Sequence, residues 1–232
     1  MTDVFEAIKD RRSRRRFTGR TVSYDQLKVI ADAGLRAPTI NDLRDLSFVL
    51  VNDGRKITRV SDNANGQTWI RNAGGMIGVV ANEERLNAYH QDENTNAYSH
   101  EHVGAAMQNM LLATHALNLG GCWLADYDEK TVETAFSSRP GNDFGEGEDQ
   151  SLFAVLIIGY PDGQPRSKPP YHPSNHIFMD EFEERLEHHR FQRGQFYEQL
   201  KKIGYNVSKD TRSVMGAYAD LLQRIKTWFR NE

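Results

Sequence analysis

Gly104-Ala105-Ala106-Met107-Gln108-Asn109-Met110-Leu111-Leu112-Ala113, continued by Ala116-Leu117-Asn118-Leu119-Gly120-Gly121-Cys122-Trp123, is the stretch that decides the fold. From Tyr98 to Asn118 the residues Val103, Ala106, Met107, Met110, Leu111, Thr114 and Leu117 recur at helical spacing, while Gly104, Ala105 and Ala113 fill other faces. A helix apolar nearly all round has to be buried, and its small residues let another backbone approach closely. The spacing therefore predicts the spine of a domain or of a subunit interface. Gly120-Gly121 ends it, and Cys122 to Ala125 reads as a short strand.

Outward from this spine, Phe48-Val49-Leu50-Val51, Met76 to Ala81 and Leu152 to Tyr160 read as further strands. The second is apolar on successive residues, as in a strand covered on both faces. Tyr24 to Arg36 reads as a helix with Leu27, Ile30, Ala31 and Gly34 on one face, started by Ser23 and stopped by Ala37-Pro38, since the residue before a proline is pushed out of the helical region. A short stripe of Val4, Phe5 and Ile8 precedes it, and Glu129 to Phe136 reads as another helix. Strands mixed with helices make the fold class α+β.

Beyond Tyr160 the composition changes. Residues 161 to 176 are rich in proline and polar side chains, and after them two helical stripes appear, Phe182 to Ile203 and Val214 to Phe229. The expected organisation is a domain over 1–177 and a helical extension over 178–232. With 232 residues, a net charge of −3 and a pI near 6.3, the chain lacks the overall basic balance of a nucleic-acid-binding domain. The single cysteine, Cys122, excludes an intrachain disulfide and fits a reducing compartment. No apolar run approaches a membrane-spanning length and the first residues lack signal-peptide character, so the expected location is cytoplasmic.

Against this acidic background one cluster stands out. Arg11-Arg12-Ser13-Arg14-Arg15-Arg16-Phe17 places five guanidinium groups in seven residues. A guanidinium offers a planar fork of donors matched to phosphate oxygens, so the cluster reads either as an anion site or as a solvated, ion-paired face. His100 with His102, and His172 with His176, have spacings compatible with a metal, but no cysteine or carboxylate set accompanies them and no metal site is expected. Cys122 reads as a small core residue. No Gly-rich dinucleotide fingerprint is present.

Four signatures in order, Arg11-Arg12-Ser13-x-Arg15-x-Phe17, Leu35-Arg36-Ala37-Pro38-Thr39, the spine with its Gly-Gly-Cys-Trp strand, and Ile158-Gly159-Tyr160-Pro161 with Lys168 downstream, resemble the nitroreductase family of flavin enzymes over roughly residues 4 to 172. The resemblance implies a central mixed or antiparallel sheet flanked by helices, and a homodimer with flavin mononucleotide (FMN) at the subunit interface. It further implies that Arg11 and Lys168 neutralise the phosphate, that Arg12 and Ser13 complete its contacts or bind the ribityl chain, and that Arg15 lies nearest the pyrimidine edge of the flavin. Trp123, Leu124 and Ala125 are implied to run beside the ring, and Pro38, Thr39 and Ile40 to reach it from the other subunit. Arg14 and Arg16 are expected to face elsewhere.

The implied activity is transfer of hydride from NADH or NADPH through flavin N5 to a small acceptor such as a nitroaromatic or quinone, with ping-pong kinetics and no catalytic side chain required. The chain also departs from the pattern. Asp42, Arg44, Asp45 and Leu46 stand where the family usually has Asn, Gln, Pro and Trp; Asp126 replaces a Gly beside the ring, and Pro170 replaces an Arg after the downstream Lys. Two alternatives therefore stay open: a specialised flavoenzyme of the same fold, acting by dehydrogenation, dehalogenation or oxidative ring chemistry, and a non-catalytic flavin-binding interaction protein.

Overall fold

The computed structural model describes residues 3–89, 95–137, 150–165, 167, 176–178 and 180–182. The chain forms two compact units, Thr2–Pro165 and Arg166–Glu232, the second also counting Met1. In the second unit the rings of Phe178 and Phe182 lie 5.0 Å apart. The expected extension helices and Lys168 fall on residues outside those described.

The first unit begins with α1 (Val4–Asp10), capped by Asp3, whose carboxylate accepts the Phe5 N–H. Helix α2 (Tyr24–Leu35) starts in a reciprocal capping box between Ser23 and Gln26. A 3-10 turn over Ile40–Asp42 leads into β1 (Leu46–Val51), followed by α3 (Gly54–Asp62), a second 3-10 turn over Thr68–Asn72 and β2 (Gly75–Asn82). Then come α4 (Glu83–Tyr89), the spine α5 (Thr95–Ala116), β3 (Gly120–Leu124), α6 (Glu129–Glu133) and β4 (Gln150–Gly159). Ala125 lies just past β3, and the helix expected to reach Phe136 gives way to turn after Glu133.

The four strands form one sheet in the order β1-β2-β4-β3. All three pairings are antiparallel, including Leu46↔Ala81 for β1 with β2, Gly75↔Ile158 for β2 with β4, and Gly120↔Gly159 for β3 with β4. The α+β class is thus observed, with an antiparallel sheet among the described residues. β2 is buried from Gly75 to Ala81, as its unbroken apolar run requires. On one face Met76 and Val80 join Ile57 and Val60 of α3, Val132 of α6, and Phe136. On the other, Gly75 lies against Leu27 of α2, which in turn packs along α5.

All seven apolar positions expected to share the inner stripe of α5, Val103 to Leu117, are buried. Burial all round is not seen, because Gln108 is exposed and Gly104, Ala105, Leu112 and Ala113 are only half-buried. A Cβ built on Gly104 meets no atom within 4 Å. Among the described residues the outer side of the spine is therefore only partly covered. Helix α3 has no counterpart in the sequence reading, since Ile57 and Val60 are too sparse a stripe among charged residues; its local signal is Asp53, whose side chain accepts the Arg55 N–H at 2.9 Å.

No helix among the described residues is long and apolar enough to cross a membrane.

Candidate functional site

β3 is one of the two edge strands of the sheet among the described residues, and an edge exposes unpaired backbone groups that need a partner. The arginine segment supplies it. Leaving α1 in extended conformation, Ser13 bridges Gly121 in parallel and the Arg14 N–H donates to the Gly121 carbonyl at 3.0 Å. Farther on, Phe17 bridges Pro161, the Thr18 N–H donates to Tyr160 O, and the Asp162 N–H donates to Arg16 O, each bond at 3.0 Å. Phe17 is 6% exposed and acts as the anchor. Its ring lies on Gly120 and Gly159, where a Cβ would come within 3.2 and 2.7 Å of it.

The arginines of this extended segment divide by their partners. Arg12 turns back to the end of α1, donating through Nη1 to Lys9 O at 2.6 Å and Arg11 O at 2.9 Å, where a cation also suits the helix dipole. Arg14 donates to the Gly163 carbonyl, and Arg16 pairs with Asp162 at 3.1 Å. The odd-numbered pair is different. Among the described residues, neither half-buried Arg11 nor exposed Arg15 has a carboxylate or carbonyl partner. The Arg15 guanidinium stands 6.0 Å from the Trp69 ring centroid, within cation–π range.

Both charges converge on β3. Burial pushes the Cys122 thiol above its usual value, and Arg15 and Arg11 pull against that shift without overcoming it. Cys122 is thus the core thiol expected from the sequence, and Trp123 beside it is 42% exposed. Next to the segment a cavity of about 380 Å³ is lined by Arg11, Arg12, Arg14, His115, Asn118 and Gln164, with Asp10 as its carboxylate. Burial lowers the His115 pKa; Asp10 opposes this, while Arg11 and Arg12 reinforce it. The cavity carries three guanidinium groups against one carboxylate, the electrostatics of an anion site.

The segment after β3 is pinned from the other side of the sheet. Gln67 Nε2 donates to Ala125 O at 2.6 Å and to Asp126 O at 3.1 Å, and Asn65 Nδ2 donates to Asp126 Oδ1 at 2.6 Å. Asp126 has φ of +61°, a left-handed conformation that glycine adopts without cost and aspartate tolerates better than most residues. The departure from glycine at this position is thus accommodated with the backbone shape intact. Asn65 and Gln67 were not foreseen from sequence, and only the fold brings them to Ala125.

Pro38, Thr39 and Ile40 lie elsewhere. Among the described residues no hydrogen bond or ion pair joins them to the arginine segment or to β3. They belong to a loop in which Asn41, Asp42 and Arg44 have φ of +50°, +54° and +52°. Asp42 and Arg44 form a two-pronged ion pair at 3.1 and 2.8 Å that holds the Asp42 carboxyl below its usual range. Beneath the loop His102, from the pair first weighed as metal ligands, meets buried Asp45 at 2.8 Å and accepts the Ile40 N–H at 2.9 Å. Among the described residues no group of three or more side chains suited to a metal ion assembles.

In one chain, then, the foreseen residues form two groups: Arg11 to Arg15 with Trp123 to Ala125 around the edge strand, and Pro38 to Ile40 on the loop. A family model described as the nitroreductase family matches residues 8–75 and 61–160. A protein of Archaeoglobus fulgidus, provisionally named an NADH dehydrogenase/NAD(P)H nitroreductase, is 27% identical over 161 residues, covering 69% of this chain and 87% of that protein. The NADPH-flavin oxidoreductase of Vibrio harveyi is 25% identical over 174 residues, 73% of this chain and 70% of its own. A provisionally named nitroreductase from Desulfovibrio desulfuricans, solved in complex with FMN, superposes with a TM-score of 0.60 at 28% identity over 74% of this chain and 93% of its own.

Proposed function

The chain belongs to the nitroreductase family, and from that premise we propose that it is an FMN-dependent oxidoreductase, using NADH or NADPH to reduce a small acceptor such as a nitroaromatic or quinone. The observation that carries this reading is half-buried Arg11, which has no ion-pair or hydrogen-bond partner for its side chain among the described residues and lines a cavity with three guanidinium groups against one carboxylate. Burying a cation without a partner is costly, and a bound phosphate removes that cost. The donor set fits the phosphate end of FMN.

Arg11 and Ser13 would hold the phosphate and ribityl end; Lys168, given a phosphate contact by the resemblance alone, lies outside the described residues. Arg12 keeps Nε and Nη2 available, because both its bonds to carbonyls run through Nη1. Arg15 would set a fixed positive charge at the end of the site that takes the ring. Trp123 and the pinned segment Leu124-Ala125 would flank the ring and exclude water from one side. When bound, FMN supplies the two-electron exchange between nicotinamide and acceptor, chemistry for which this chain needs no nucleophile. One site serving both substrates in turn predicts ping-pong kinetics.

The same reading makes the protein a homodimer. The partly covered outer side of α5, with empty space at Gly104, and the exposed Val4, Ile8 and Leu35 are apolar surfaces that a second copy would cover. Pro38 to Ile40 would then reach the partner's site. A cytoplasmic location and the boundary of a helical extension at residue 178 belong to the same proposal.

The test is a ranking. Arg11→Ala removes charge-assisted hydrogen bonds worth about 1.5–3 kcal/mol and should weaken FMN binding about ten- to hundredfold, with Arg15→Ala acting in the same direction. Arg16→Ala should leave it within a few-fold, because exposed Arg16 pairs with Asp162 and is not among the residues lining the cavity. Equal losses for Arg11→Ala and Arg16→Ala in a fluorescence titration with FMN would sink the assignment. Flavin-loaded protein that oxidises neither NADH nor NADPH with any nitro or quinone acceptor would favour the specialised-flavoenzyme alternative.

A further inference from the structure

His102 and Asp45 form a buried polar unit that the proposed chemistry does not use. His102, on α5, is 5% exposed, and Asp45, at the end of the loop before β1, is 2% exposed. The Ile40 N–H can only donate, so the His102 Nε2 at 2.9 Å from it must be the lone-pair nitrogen. The hydrogen then sits on Nδ1 and points at Asp45 Oδ1, 2.8 Å away. One imidazole thus ties the carboxylate at residue 45 to the backbone at residue 40. Asp45 Oδ2 is buried without a partner among the described residues, and the Asp45 carbonyl accepts the Asn82 N–H at 2.9 Å.

Nothing in packing alone asks for a carboxylate there, since burying one with a single polar contact is unfavourable unless it secures something. What it secures lies between the two tied points. Asn41, Asp42 and Arg44 all adopt left-handed backbone, which costs non-glycine residues free energy and persists only where surrounding contacts over-determine it. The other contacts are the Asp42 N–H to Thr39 O and Leu43 N–H to Ile40 O bonds at 3.1 and 3.0 Å, an exposed Asp42–Arg44 pair screened by solvent, the Arg44 N–H to Thr39 Oγ1 bond at 3.1 Å, and the bond from Arg85 Nη1 to Arg44 O at 3.0 Å. The link through His102 differs from these in running through two buried side chains, His102 and Asp45.

We propose that Asp45 and His102 act together as a positioning pair that holds the loop from Pro38 to Arg44 in its strained shape and thereby sets how tightly the enzyme binds its acceptor. The acceptor clause rests on the function proposed above, in which Pro38 to Ile40 border the flavin site of the partner subunit. Neither side chain touches substrate. Both act through the backbone at Ile40, and the Asp and Arg that replace the family's usual loop residues become parts of one device.

The experiment uses full-length, FMN-loaded protein. His102→Leu keeps the bulk and removes both bonds, whereas His102→Gln keeps an oxygen to accept the Ile40 N–H and an amide N–H to meet Asp45. Asp45→Asn/His102→Leu removes the buried charge along with the link and guards against simple misfolding of the first variant. The expected result is an acceptor KM raised about tenfold or more in His102→Leu and in the double variant, with kcat and FMN affinity changed less than about threefold, and recovery of the wild-type KM in His102→Gln. An unchanged KM in a folded, loaded leucine variant, or a glutamine variant as impaired as leucine, overturns the proposal.

Hydrogen exchange at the Ile40 amide needs no turnover and separates this idea from the function it rests on. Faster exchange in the leucine variant, restored by glutamine, supports the clamp, and unchanged exchange overturns it. Wild-type protein without acceptor turnover would overturn the parent function and, with it, the acceptor clause.

Discussion

Removing the ring of Phe17 should destabilise the fold and loosen the arginine segment in one step. The ring is 6% exposed, lies over Gly120 and Gly159, and has the Trp69 ring centroid 6.1 Å away. Phe→Ala in a core typically costs about 3–5 kcal/mol, the larger values arising where neighbours cannot collapse into the void. Two of the neighbours here are glycines with no side chain to move in, so the upper half of that range is expected. For a chain of this size each kcal/mol shifts Tm by about 2–4 °C, giving a fall of about 8–20 °C for Phe17→Ala. Thermal unfolding followed by circular dichroism on flavin-free protein measures it. FMN affinity should also fall, but less than in Arg11→Ala, because the Arg14 N–H to Gly121 O and Thr18 N–H to Tyr160 O bonds still hold the segment at both ends. A Tm within about 2 °C of wild type would refute the view that Phe17 anchors this edge.

Gly78→Ala places a Cβ 2.6 Å from Phe136 Cδ1 and 3.1 Å from Leu152 Cδ1 in the middle of β2, so overpacking of about 1–3 kcal/mol is expected; denaturant melts showing no loss would contradict the packing. His115 has a folded pKa depressed chiefly by burial, so its contribution to stability is full above its ordinary value near 6.5 and is lost as pH falls through that value toward the folded one. Wild type should therefore lose more stability between pH 7 and 5 than His115→Gln, and parallel declines would count against it. Phosphate or FMN bound at the neighbouring arginines should move the His115 titration upward, readable by NMR.

Much of the scaffold could be read locally. The inner stripe of α5, the Ser23 cap that starts α2 and the continuous apolar run of β2 are local patterns, and each appears where expected. Helix α3 was illegible because two buried apolar residues among charges make no stripe. Small apolar residues suit both a core and a subunit interface, the two readings left open for α5, and periodicity does not distinguish them. His102 was weighed as a metal ligand on the strength of spacing alone; its partner Asp45 is 57 residues away in sequence, and no local pattern links them.

The sequence by itself determined that an arginine cluster, a small-residue spine and a Gly-Gly-Cys-Trp strand occur in an order resembling one family of flavin enzymes, because composition and spacing are local properties of the chain. Tertiary structure alone decided which arginines are free to bind. Among the described residues the folded chain engages Arg12, Arg14 and Arg16 with carbonyls and with Asp162 and leaves Arg11 and Arg15 without such partners, contacts that no local pattern encodes. It also decided that the altered loop is tied down from beneath by His102, since a contact between distant residues exists only once the chain has folded.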